Sequence, residues 1–182
     1  QEALRLAPGN AAATALLAAA SADPEPPAAS DEDVETGRQR EELADAMRHY
    51  RRFRFADAEV LFSSAARRKG SSRLRQAARQ RAEAAQAFAA EWNKGKGALK
   101  ARKYPTAERK LRAALYHDAK LGGFHAPRVN KALADVTWAQ AKSALGRREI
   151  EAARRALKST LELDPQREAA RKALRDLEAG AY

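Results

Sequence analysis

The stretch REIEAARRALKSTLELDP, Arg148–Pro165, carries the pattern that predicts the architecture of the chain. Its small and apolar residues recur at intervals of three and four, which is the spacing of one face of an α-helix. A polar turn precedes it, and it ends at a proline, which cannot continue a helix. The stretch therefore predicts an amphipathic helix with a single apolar face.

This pattern occurs three times along the chain. Counted from Leu43, Trp92 and Trp138, small, apolar or aromatic residues stand at offsets of 0, 3, 7, 12, 15, 19, 22 and 23. The first three offsets lie on one face of a first helix, and those from 12 onward lie on one face of a second helix. A polar stretch separates the two. Each unit is therefore predicted to be a helix-turn-helix hairpin, and the hairpins must stack to bury their apolar seams.

These units resemble the tetratricopeptide repeat, most closely in their second helices. Arg148–Pro165 closes in Leu-x-Leu-Asp-Pro, and KYPTAERKLRAALYHD and FRFADAEVLFSSAARR look like weaker copies. The resemblance covers roughly residues 36–177. It implies an all-α fold in which helix-turn-helix repeats stack as a short α-solenoid with a right-handed superhelix. It also implies a function in protein–protein interaction.

The repeat period departs from that family. The family repeats about every 34 residues, whereas Ala58, Ala107 and Ala153 are 49 and 46 residues apart. Most of the surplus precedes the first helices. We therefore expect elongated first helices, a glycine-rich connector at KLGGFHAP and an irregular superhelix.

The regions outside the repeats divide into three parts. Residues 1–20 resemble the tail of a preceding repeat, because ALRLAP matches TLELDP at residues 160–165; a short capping helix is the alternative. Residues 21–36 are acidic and contain three prolines within four positions, which predicts a linker. Ser30 followed by Asp33 resembles a capping box, so a helix should start between residues 31 and 36. Residues 37–182 then hold the three hairpins and a terminal helix at Gln166–Glu178.

The composition offers little catalytic material. The chain has no cysteine and three histidines, and none of the histidines has the spacing of a zinc site. No phosphate-binding glycine motif is present. We therefore expect no enzyme activity, no metal and no cofactor. His117 and His125 flank a Gly-Gly turn, and we expect a surface or capping role for both.

The charge is strongly asymmetric. Residues 1–33 contain one basic residue and six acids, a net charge of −5. Because the whole chain has a net charge of +11, residues 34–182 carry +16. Such a basic surface attracts an acidic protein or another polyanion. The apolar run at residues 11–22 is shorter than the roughly 20 residues of a membrane-spanning helix, so we expect no membrane insertion. The absence of cysteine fits cytoplasm or periplasm, and we favour the cytoplasm. The bias to alanine and arginine predicts a bacterial source.

The expected binding groove lies on the first helices. Asn93 falls where some members of the family place an asparagine that grips a partner's C-terminal carboxylate, but the other positions of that clamp do not match. Trp92 and Trp138 match the buried aromatic of the family in one alignment and the concave groove in another. The predicted groove residues are Tyr50, Arg51, Trp92, Asn93, Lys96, Lys100, Trp138 and Lys142.

Three functions follow from this pattern. The first is a non-catalytic scaffold module that binds an acidic or amphipathic protein segment within a larger bacterial assembly. The second is a nucleic-acid-binding domain without sequence preference, although stacking platforms for bases are not evident in the sequence. The third is a structural spacer or self-association module. The sequence does not fix the oligomeric state.

Overall fold

The computed structural model describes residues 30–180 and is all-α, with seven helices and no strand within that range. Each helix is packed mainly against the next one along the chain, in a solenoid-like arrangement. The helices are α1 Asp31–Arg51, α2 Phe55–Arg67, α3 Ser72–Lys100, α4 Tyr104–Ala119, α5 Ala126–Gly146, α6 Ile150–Leu163 and α7 Glu168–Glu178.

Helix α1 begins where the capping signal predicts. The Ser30 side chain accepts a hydrogen bond from the backbone N–H of Asp33, and three acids in the first turn complement the helix dipole. Because α1 starts at Asp31, residues 31–36 of the predicted linker lie in the helix, and the linker boundary moves to Ser30. The predictions for residues 1–20 and 21–29 lie outside the described residues.

The three predicted hairpins are α1–α2, α3–α4 and α5–α6, and their turns share one backbone geometry. Phe53, Arg102 and Arg148 stand at the same offset and have φ values of 62°, 56° and 59°. In each turn the backbone N–H of the next residue donates a hydrogen bond to the carbonyl oxygen five residues earlier, at 2.9–3.0 Å. This left-handed closure is the Schellman motif of a helix C-terminus. The three hairpins therefore share the hydrogen bonds of their turns as well as a sequence pattern.

The predicted seam of each hairpin lies inside the fold. Ala58, Ala107 and Ala153, which share one offset, are all fully buried, as are the bulky residues four positions later. In the middle hairpin the approach is closer still, because a Cβ added to Gly95 would lie 2.8 Å from Leu111 Cγ. The small residues therefore allow the paired helices to pack at short distance.

The elongated first helices account for the long period. Helix α3 has 29 residues and extends well beyond its partner α4, which has 16. The first helices also touch one another, α1 against α3 and α3 against α5. At the C-terminus, Arg167 anchors α7 by binding Asp164 and Asp135, which lies on α5. The predicted terminal helix is thus present, starting at Glu168 rather than Gln166.

Candidate functional site

Two tryptophan–lysine pairs stand at equivalent positions on the first helices of the second and third hairpins. Lys96 Nζ lies 5.7 Å from the centre of the Trp92 ring, and Lys142 Nζ lies 5.5 Å from that of Trp138. Both rings are half-buried: each packs on the core along one side and carries a cation on the other. Both tryptophans thus pack partly against the core, and each ring has a lysine over it.

Tyr50 does not line a groove, and this corrects the prediction from the sequence. It is fully buried, and its hydroxyl donates a hydrogen bond of 2.8 Å to Asp118, which is also fully buried. The other carboxylate oxygen of Asp118 accepts from the backbone N–H of His125 at 2.9 Å. The carboxylate therefore joins the end of α1 to the connector that precedes α5.

The α4–α5 connector covers the end of α1 that the sequence assigned to the groove. Gly122 and Gly123 take φ values of 100° and 71°, which other residues rarely adopt, and so fold the connector back on itself. Arg51 lies over the Phe124 ring at 4.1 Å, and Arg128 lies over the Phe53 ring at the same distance. The first part of the expected groove is thus filled by the chain itself.

His125 is the centre of this contact, so the surface role among the two expected for it is wrong; the residue does stand at the N-cap of α5, without a capping hydrogen bond from its side chain. Its side chain is buried, its Nε2 donates to the Tyr50 carbonyl oxygen at 2.9 Å, and the centre of its ring lies 4.0 Å from that of Phe53, with the two ring planes tilted by 53°. Burial lowers the pKa of His125, which keeps the ring neutral. Burial, followed by the bond to Asp118, raises the pKa of the Tyr50 phenol.

A basic cleft lies between the second hairpin turn and α5. Its lining consists of Arg102 and Tyr104 on one wall and Ala139, Lys142 and Ser143 on the other, around an open volume of about 500 Å³. Two cationic groups and two hydroxyl groups thus line the second cleft, as we name it, and none of its lining residues within the range 30–180 is acidic. Arg102 was not predicted, although its place in the turn KARKYP could have indicated it.

The equivalent first cleft lies between the first hairpin turn and α3. Phe53 and Phe55 stand where Arg102 and Tyr104 stand in the second cleft, and Asn93 lies opposite them. Two acids also line it, Asp57 and Glu59. Asn93 therefore opens into a different cleft from Lys142, and the predicted groove residues do not form one continuous site.

The hairpin turns carry several basic side chains that have no acidic partner. On the helices some basic residues are paired: Arg68 binds Glu35 and Glu42, and Lys110 binds Glu91. At the turns of residues 30–180 the ion pairs are His49–Asp57 and Arg147–Glu149. The exposed basic residues of the turns that form no ion pair within this range are Arg51, Arg52, Arg54, Lys100, Arg102, Lys103 and Arg148.

Two other features are absent from residues 30–180, a metal site and a membrane-spanning helix. No group of three His, Asp or Glu side chains there could hold a metal ion. None of the seven helices has the length and apolar character needed to cross a bilayer.

Comparison with known proteins yields no relative. No protein-family model, curated protein or solved structure matches the chain. The fold and the two clefts are therefore the features of the chain that bear on its function.

Proposed function

We propose that this chain is a non-catalytic protein-binding module, built of tetratricopeptide-like hairpins, that binds an acidic segment of another protein. The observation that carries the proposal is the second cleft, where Arg102 and Lys142 line one space and no acidic residue of the described part of the chain lines it with them. An acidic side chain entering this space would meet two cations and the hydroxyls of Tyr104 and Ser143. Charge-assisted hydrogen bonds of this kind are stronger than neutral ones.

The neighbouring surface suits the same ligand. Lys96 and Lys100 follow Trp92 along α3 at intervals of four, so the three share one side of the helix. The half-buried indole offers apolar contact beside the cations, which fits a segment with both acidic and apolar side chains. The net charge of +16 over residues 34–182 increases the rate of encounter with such a segment.

Nucleic acid is less well matched by this geometry. Sequence-tolerant binding of single strands uses exposed aromatic faces on which bases stack. Trp92 and Trp138 are half-buried, and each carries the lysine of its own helix over the ring. A base would have to displace that lysine before stacking.

The test is the charge-reversal variant Lys96→Glu/Lys100→Glu/Lys142→Glu. The probe is a fluorescein-labelled, glutamate- and leucine-rich peptide of about 15 residues, able to extend over roughly 50 Å, and its anisotropy reports binding. We expect binding to the unaltered chain that weakens with salt and is lost in the variant. Lys131→Glu/Lys158→Glu/Lys172→Glu changes three exposed lysines elsewhere and is the matched control.

Two results would refute the proposal. One is equal loss in both variants, since binding would then follow net charge alone. The other is no binding of the peptide at low salt while random duplex DNA binds, which would support the nucleic-acid alternative.

A further inference from the structure

At the tips of the second and third turns, arginine occupies a backbone position that favours glycine. Arg102 and Arg148 have φ values of 56° and 59°. In this left-handed region the Cβ atom comes too close to the following carbonyl oxygen, so glycine is the usual residue at this point of a helix C-terminus. Each arginine therefore destabilises its turn relative to glycine.

The first turn shows how a side chain can offset that strain. Phe53 occupies the same position, and its ring contacts those of His125, Phe55 and Trp92 at 4.0, 5.2 and 6.0 Å between centres. Arg102 and Arg148 are both exposed, and neither side chain forms a hydrogen bond or an ion pair with any part of the chain that the structure describes. Within residues 30–180, neither guanidinium group therefore makes a polar contact that would stabilise the turn.

We infer that Arg102 and Arg148 are contact residues for the acidic segment, an inference that rests on the proposed function. Strained backbone positions are characteristic of binding sites, where the side chain serves the ligand. Arg102 already lines the second cleft with Lys142. Arg148 follows Lys142 by six residues: α5 advances about 6 Å from Lys142 to its last residue, Gly146, and Arg148 lies two residues farther along the chain.

The distance between Lys142 and Arg148 indicates how the acidic residues of the partner are spaced. A guanidinium group binds a carboxylate through two parallel hydrogen bonds, so each arginine selects one acidic side chain. An extended chain advances about 3.3 Å per residue, so acidic residues roughly three positions apart span the distance from Lys142 to Arg148. The partner is therefore an extended acidic segment that runs from the second cleft to the third turn.

The experiment separates binding from stability through three double variants. Arg102→Gly/Arg148→Gly removes both the charge and the strain, Arg102→Gln/Arg148→Gln removes only the charge, and Arg102→Lys/Arg148→Lys keeps the charge. The labelled acidic peptide measures affinity, and thermal unfolding measures Tm. We expect the glycine and glutamine variants to bind about tenfold more weakly, with the lysine variant between them and the unaltered chain. Only the glycine variant should gain stability, by roughly 2–6 °C in Tm.

The outcomes are distinguishable from failure of the proposed function. If the glycine variant binds like the unaltered chain while Lys96→Glu/Lys100→Glu/Lys142→Glu loses binding, the arginines are not contacts and the proposed function stands. If Arg79→Gln/Arg155→Gln, which removes two exposed charges elsewhere, weakens binding equally, the inference is overturned. If no form of the chain binds the peptide, the proposed function itself fails.

Discussion

The two clefts have the same backbone construction and different chemistry. In each, a left-handed hairpin turn and the start of a second helix face the first helix of the next hairpin. At the tip of the turn the first cleft has Phe53, and the second has Arg102. The first is also lined by Asp57 and Glu59, whereas the second is lined by Lys142 and hydroxyl groups.

The difference shows how a repeat can assign separate tasks to equal positions. At the first junction the turn is used for cohesion, because Phe53 and Tyr50 are tied to the connector by His125 and Asp118. At the second junction Arg102 stands at the position of Phe53 and is exposed and positively charged, while Leu99, at the position of Tyr50, packs against the core. Four pairs of variants test this difference between the two junctions, from the largest expected effect to the smallest.

Removing the carboxylate that closes the first junction should have the largest effect. In Asp118→Ala the buried Tyr50 hydroxyl and the His125 N–H lose their acceptor, so we expect the free energy of unfolding to fall by about 3 kcal/mol or more. Urea denaturation measures it. Asp164 stands at the same offset in the third hairpin but is partly exposed and binds Arg167. Asp164→Ala should therefore lose about 1 kcal/mol or less, and equal losses would contradict this difference.

The packing of the middle hairpin affects both clefts, because Asn93 lines one and Arg102 the other. Gly95→Ala would place a Cβ 2.8 Å from Leu111 Cγ, so we expect a net loss of about 1–3 kcal/mol. Two residues on, a Cβ at Gly97 meets nothing within 4 Å, and Gly97→Ala should stabilise α3 by up to about 1 kcal/mol. Thermal unfolding of the two variants measures both changes in stability. A stabilised Gly95→Ala variant would show that the close approach can relax.

Acid should weaken the first junction through His125. Its pKa is lowered by burial in the folded chain, so unfolding takes up a proton. The contribution of neutral His125 to the free energy of unfolding is fully present above about pH 6.5 and is lost as the pH falls below that value. The hydrogen bond from Lys110 lowers the pKa of Glu91. The stability that this ion pair contributes is therefore lost only at lower pH, as the Glu91 carboxyl group protonates.

Urea midpoints between pH 7.5 and 5 should therefore fall for the unaltered chain. The slope of this fall should shrink in His125→Gln and persist in His117→Gln, which changes a histidine outside the contact with Tyr50. Equal slopes in all three chains would show that His125 is not the group that titrates.

The smallest effect should come from making the first cleft resemble the second. Asp57→Asn/Glu59→Gln removes both acids that line it and leaves Arg54. We expect the labelled acidic peptide to bind roughly threefold more tightly, a modest gain because these side chains are exposed or half-buried. Glu162→Gln/Glu178→Gln makes the same charge change at exposed sites away from the clefts. A gain of equal size in this control would mean that net charge, rather than the first cleft, is responsible.

The sequence predicts the hairpins because their determinants are local. Helical periodicity, the cap at Ser30 and the small residue at Ala58 and its equivalents act within one helix or between adjacent helices. The length of α3 follows from the same pattern. The all-α fold and the stacking of consecutive helices could therefore be predicted from the residues alone.

The site was predicted less well because it depends on long-range contacts. Tyr50 meets His125 across 75 positions, through a connector that no regular repeat contains. The sequence gives His125 no visible partner, so its burial could not be foreseen. Arg102 was missed for another reason. Its role depends on the backbone conformation of the turn, and because its neighbours Ala101 and Lys103 are exposed as well, the pattern of apolar residues does not single it out.

The buried side chains of the described chain form two clusters that meet within α5. One extends from Leu43 to Val136, and the other from Ala141 to Leu177. Parts of a protein that pack separately can open separately, on the time scale that amide hydrogen exchange detects. Arg102 and Tyr104 follow α3 on the side of the first cluster, whereas Lys142 lies beside the second. A ligand in the second cleft would hold the two parts together and slow the exchange of α6 and α7 far from the site of contact.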